Sequence, residues 1–135
     1  MSTSYPIADL PTPEPDYDPA RVIEIQVSAL ADNDDPVRNA GIKTAYNFAS
    51  PANRRATGPL NRFVRMVEGP QYATMIDHTE AVAGPIEREG DQASQQVTLT
   101  GPNGQTATYE FGLSVHDGTD DVPAGCWLTD RVLRT

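Results

Sequence analysis

Two histidines, His78 and His116, are the side chains best able to move a proton near neutral pH, and each has an aspartate beside it. Asp77 and His78, with Glu80 close behind, have the residue types of a general acid and base. On a regular strand, however, neighbouring side chains leave opposite faces, so the two do not enter one pocket together. His116 borders an acidic run, residues 117–121, and reads as a solvated charge. That run is oxygen-rich but lacks the twelve-residue calcium loop ending in glutamate. Asp32, Asn33, Asp34 and Asp35 share the ambiguity, and capping of a helix by Asp35 accounts for one of them. No metal site is expected. Cys126 is the only cysteine, which excludes an internal disulfide and a cysteine-based metal centre. Between Gly125 and Trp127 it reads as a buried structural thiol. Gly101-Pro102-Asn103-Gly104 is a hairpin turn rather than a phosphate loop, and no serine sits in a nucleophile elbow.

Ligand-binding candidates are of two kinds. Arg54 and Arg55, just before Thr57-Gly58-Pro59, can clamp a carboxylate or phosphate at the neighbouring helix start. The plainer reading has Asn53 and Thr57 bonding loop backbone while the arginines pair with surface acids. Among the aromatic residues, Tyr46, Tyr72 and Trp127 carry polar tips that can hydrogen-bond a small molecule, although such a stripe more often builds core.

The elements that must position these groups follow from the hydrophobic period. Residues 1–17 form a proline-rich tail, with Pro6, Pro11, Pro13 and Pro15. Disorder is its default, and an arm pinned by Tyr5, Ile7, Leu10 and Tyr17 is the sharper alternative. Residues 18–135 read as one α+β domain. Asp18-Pro19 starts a helix whose apolar stripe is Ile23, Val27 and Leu30. Asp35-Pro36 repeats the start signal, and Gly41 within the second helix implies a close helix contact. Ser50-Pro51-Ala52-Asn53 stops that helix or begins a short helical turn. Pro59 opens a third helix over Leu60 to Glu68, ended by Gly69-Pro70. From His78 the period becomes two, through Val82, Gly84 and Ile86, then Gln95, Val97 and Leu99, then Tyr109, Phe111, Leu113 and Val115, and finally Trp127 to Leu133. Four strands in a meander, one face covered by three helices, are expected.

Bulk composition narrows the setting. The net charge is -9 over 135 residues, and Lys43 is the only lysine. Such a surface repels nucleic acid and anionic lipid, and no apolar run approaches a membrane span. Acidity with almost no lysine suits a halophile, whose salt screens the self-repulsion; a GC-rich genome is the other source of arginine preference. The start of the chain has no basic or apolar leader region, so a cytoplasmic location is expected.

Phe48-Ala49-Ser50-Pro51-Ala52-Asn53, Thr57-Gly58-Pro59, Arg62-Phe63 with Met66-Val67, Gln95-Gln96-Val97 and the closing Cys126-Trp127-Leu128-Thr129 together carry a resemblance. They resemble an uncharacterised domain family of halophilic archaea, proteobacteria and photosynthetic organisms, over most of the chain from Asp18. The order of helices then meander is similar to the nuclear transport factor 2-like, or cystatin-like, superfold. That likeness implies a curved sheet around helices, a conical pocket, and homodimers packed through the sheet. The superfold hosts enzymes and binding modules alike, so fold does not choose between them.

The leading expectation is a non-catalytic small-molecule-binding or protein-interaction module without a cofactor. The alternative is a small lyase, isomerase or hydrolase with its base near Asp77 or His78 and a donor from Tyr46 or Tyr72. A carboxylate bonded to a tyrosine inside a pocket favours the enzyme. A pocket filled by Phe48, Phe63 and Trp127 counts against it.

Overall fold

The computed structural model describes Ile7 and residues 10–118 and 122–135. Four helices come first: α1 (Pro19–Ala31), α2 (Ala40–Asn47), α3 (Pro51–Thr57) and α4 (Leu60–Glu68). A 3-10 turn at Ala73–Met75 leads into strands β1 (Glu80–Ala83), β2 (Glu87–Glu89), β3 (Gln92–Thr100), β4 (Thr106–His116) and β5 (Cys126–Arg134). The chain is α+β with its helices N-terminal, as expected, but the described residues form four helices rather than three and five strands rather than four.

Local chemistry explains where elements start. Asp18 accepts the Arg21 N–H at 2.8 Å and Pro19 occupies the first turn, where its missing donor costs nothing. The second Asp-Pro pair does not repeat this. Residues 32–39 form turns, Val37 is exposed, and Asn39 holds a left-handed φ of 59° that ends any helix reaching back to Pro36. Asn33 and Asp34 do the capping instead. Asn33 takes the Gly41 N–H on its carbonyl (2.9 Å) and the Ile42 N–H on its side chain (3.0 Å), while Asp34 takes the Asn39 N–H. Gly41 is required by contact, because a Cβ there would collide with the Ala29 carbonyl of α1. Ser50 caps α3 by accepting the Asn53 N–H, so the Ser-Pro signal begins a helix.

The sheet is antiparallel and open. β3 pairs β1 and β2 along one edge and β4 along the other, and β4 pairs β5. The expected first strand is two strands because Pro85, which lacks an N–H, interrupts the ladder between them. Between β4 and β5 the register slips at Gly112/Leu113, so that Gly112 faces Arg131, Leu113 faces Thr129, and Asp130 is the extra residue of a bulge. One sheet face, with Val97, Leu99, Tyr109, Phe111, Leu113 and Trp127, closes on Val22, Ile23, Ile42, Phe48 and Phe63 from the helices. Burial of this cluster is the main stabilising term.

The described part of the tail is pinned. Asn47, fully buried, accepts the Ile7 N–H at 2.6 Å and donates to the carbonyls of Ile7 and Pro11 at 3.0 Å each. Residues 1–6 and 8–9, including Tyr5 and Pro6, lie outside the described residues.

Candidate functional site

The bulge in β5 leaves a polar kink under the helices, and a cavity of about 250 Å³ lies there, bounded by α1, α2, α3, α4 and the second half of β5. Its walls are largely apolar: Leu30, Phe63, Met66, Val67, Tyr72, Met75 and Phe111. Helical spacing in α4 puts Phe63, Met66 and Val67 on one face, which is why a single helix supplies so much of the lining. Tyr72 stands in the wall, stacked on Tyr109 at 5.9 Å, and its hydroxyl donates to the Val132 carbonyl at 2.7 Å. Burial pushes the phenols of Tyr72 and Tyr109 above their ordinary range, as expected of groups that ionise poorly away from water.

Thr129 anchors the floor. Its N–H donates to the Phe48 carbonyl (2.7 Å), and its carbonyl accepts from Ser50 N–H (2.8 Å) and Asn53 Nδ2 (3.1 Å). Its hydroxyl accepts from Gln26 Nε2 at 2.8 Å, and the same Gln26 nitrogen donates to the Val22 carbonyl. Gln26 and Thr129 are each only 2% exposed, yet both line the cavity. A buried amide and hydroxyl retained in an otherwise apolar wall are the groups best placed to orient a ligand. Neither residue stands out in the sequence, where they are 103 positions apart. The one signal is that Gln26 interrupts an apolar run, Val22, Ile23, Ile25 and Val27.

The expected site residues are scattered relative to this cavity. Tyr46 backs it, packed edge-to-face on Phe63 with centroids 5.3 Å apart. Trp127 lies in the core, 5% exposed, with the Arg88 guanidinium 4.9 Å from its ring centroid. Phe48 is likewise core, so of the three aromatics expected to fill a pocket only Phe63 reaches the cavity. Arg54 and Arg55 occupy the last turn of α3, Arg55 exposed and Arg54 half-buried in a separate cleft with Pro51, His116 and Leu128. Asn53 and Thr57 bond backbone, Asn53 to Thr129 and Thr57 to the Asn53 carbonyl.

Asp77 and His78 serve different partners. Asp77 is exposed, has a φ of 55°, and accepts the Asn33 N–H at 3.1 Å beyond the end of α1. His78 is buried with Nδ1 2.7 Å from the Met75 carbonyl. A carbonyl only accepts, so Nδ1 carries the proton.

A further polar cluster has no signature in the sequence, where Ser114 and Asp130 are 16 positions apart. On the outer face of the sheet, Ser114 Oγ donates to Asp130 Oδ2 at 2.6 Å, with His116 Nε2 3.1 Å from Ser114 Oγ and 3.4 Å from Asp130 Oδ1. The residue types are those of a nucleophilic triad, but the arrangement is not. Serine and aspartate meet the same imidazole nitrogen, whereas a base needs the acid on its other nitrogen to hold the tautomer that takes the serine proton. Beyond His116 the acidic run continues to Gly118, and Thr119, Asp120 and Asp121 lie outside the described residues. Cys126 is fully buried, and burial first, then the Glu14 charge, pushes its thiol up. Among the described residues no three His, Cys, Asp or Glu side chains cluster to hold a metal, and no helix is long and apolar enough to cross a membrane.

Helices laid on one face of an open antiparallel sheet, with an apolar cavity between the layers, define a small α+β domain. Compared with known families, the chain matches the one described as Domain of unknown function (DUF4864) over residues 14–127, and it belongs to that family. No curated protein and no solved structure matches it.

Proposed function

We propose that the chain is a non-catalytic module that binds a small, largely apolar molecule in the cavity between the helices and β5. The observation that carries this reading is the pairing of apolar walls with two buried polar side chains, Gln26 and Thr129, at the floor. About 250 Å³ is slightly below the range of drug-sized pockets, so the ligand is fragment-sized. The alternative enzyme needs a carboxylate on its donor, Tyr46 or Tyr72, and the Tyr72 hydroxyl donates to the Val132 backbone carbonyl instead. Native mass spectrometry of protein purified from its own host tests the proposal. A small molecule retained at one per chain is expected; protein carrying none, and taking up none from the host's extract, would contradict it.

The same element order and cavity support a nuclear transport factor 2-like cone as the fold, with dimers formed through the outer sheet face. There Val82 is 65% exposed and Leu133 49%, amid small polar residues such as the bonded pair Thr98 and Thr108. The net charge of -9 with a single lysine supports a saline cytoplasm as the setting. Sedimentation and circular dichroism in dilute and concentrated salt check both readings. A dimer that folds fully only in concentrated salt is expected, and a folded monomer in dilute buffer would overturn them.

A further inference from the structure

The chemistry inside the cavity is specific enough to name a ligand class, on the reading that the cavity is the ligand site. Gln26 Nε2 is committed twice, to the Val22 carbonyl at 3.2 Å and to Thr129 Oγ1 at 2.8 Å. The first of these fixes the amide's orientation, since a carbonyl accepts only from the NH₂ side. Gln26 Oε1 therefore faces away from both partners, and among the described residues no donor meets it. The Thr129 hydroxyl accepts from Gln26 and gives its own proton to no acceptor among the described residues. One acceptor and one donor with bonding capacity to spare thus stand on neighbouring lining residues, each 2% exposed, and the amide oxygen is open to the cavity rather than sealed from it. A ligand hydroxyl that replaces water at this oxygen makes its hydrogen bond between apolar walls, where such a bond is stronger than in open solvent.

Charge is excluded by the same accounting. Asp130 and Arg131 are the only charged residues on the lining, and both side chains are engaged on the outer face of the sheet. Asp130 holds Ser114 and approaches His116, while Arg131 folds over Gly112 and reaches Glu110 at 3.1 Å. An ion entering the cavity would meet no free countercharge. The walls favour a flat ring, with Phe63, Tyr72 and Phe111 presenting aromatic surface and Met66 and Met75 presenting thioethers.

We infer that the cavity takes a neutral aromatic alcohol, whose hydroxyl donates to Gln26 Oε1 and accepts from Thr129. Calorimetric titration of the full chain with p-cresol, toluene and 4-methylbenzoate tests this, because the three share one ring and one methyl group. Binding of p-cresol about tenfold tighter than either of the others is expected, the difference one net hydrogen bond makes. Gln26→Leu should bring toluene level with p-cresol or above it. Thr129→Val, which removes the donor with little change of shape, should narrow the same gap even where Gln26→Leu does not fold. Equal affinity for p-cresol and toluene would overturn the alcohol assignment while leaving the cavity as a binding site. Equal affinity for 4-methylbenzoate would overturn its neutrality. Binding of none of the three would contradict the alcohol assignment and also remove support from the cavity reading.

Discussion

The two sides of β5 around its bulge carry polar clusters of opposite character. Outside, Ser114, His116 and Asp130 are the residue types that catalyse, but His116 and Asp130 are about a third exposed, at 29% and 33%, and their geometry spends one imidazole nitrogen on both partners. Inside, Gln26, Thr129 and Asn53 titrate nowhere near neutral pH, yet two of them are almost wholly buried and one faces a cavity with an unmet acceptor. The difference teaches that burial and spare hydrogen-bonding capacity single out a candidate site that residue type alone does not. A solvated trio competes with bulk water on all sides, whereas the Gln26 amide opens only on a small cavity with apolar walls.

Removing an interior member should break the comparison hardest. Gln26→Ala deletes the support of Thr129 and enlarges the cavity, and a loss of about 2–3 kcal/mol is expected from urea unfolding. A loss below about 0.5 kcal/mol would mean that the inner cluster holds nothing. Next in size is an alkaline effect. Burial raises Cys126, Tyr72 and Tyr109, so the unfolded chain ionises before the folded one. Their stabilising contribution is complete below the ordinary thiol and phenol values of 9.0 and 10.0 and is withdrawn as pH climbs past them. The urea midpoint should therefore fall steadily from about pH 9 upward, and a flat midpoint to pH 11 would contradict this burial. The smallest effect belongs outside: Ser114→Ala should change stability by less than about 1 kcal/mol, because the trio is solvated. A larger loss would place the outer cluster among the structural ones.

How much of this the sequence reveals depends on how local each cause is. Asp18-Pro19, the α4 stripe and the alternation of Tyr109, Phe111, Leu113 and Val115 are legible because cap, period and pleat act within a few residues. Asp35-Pro36 carries the same signal as Asp18-Pro19 but loses to Asn33 and Asp34, whose bonds to Asn39, Gly41 and Ile42 depend on a turn no period records. The β1/β2 break is legible in hindsight from Pro85. The cavity is not. It exists because a strand near the C-terminus bulges beneath a helix near the N-terminus, and hydrogen bonds spanning 103 residues leave no local trace. Tyr72 was identifiable by its polar tip; Gln26 and Thr129 were not, because a neutral amide and a threonine are ordinary in any helix or strand.

The most direct measurement of the central claim watches both sides of β5 at once. Labelled methyl groups of Met66 and Met75 report the cavity, and the ring protons of His116 report the outer cluster. On titration with p-cresol, the two methionine methyl signals should move and saturate together while His116 stays still. Movement of His116 with silent methionines would put the binding site on the wrong face and contradict the account.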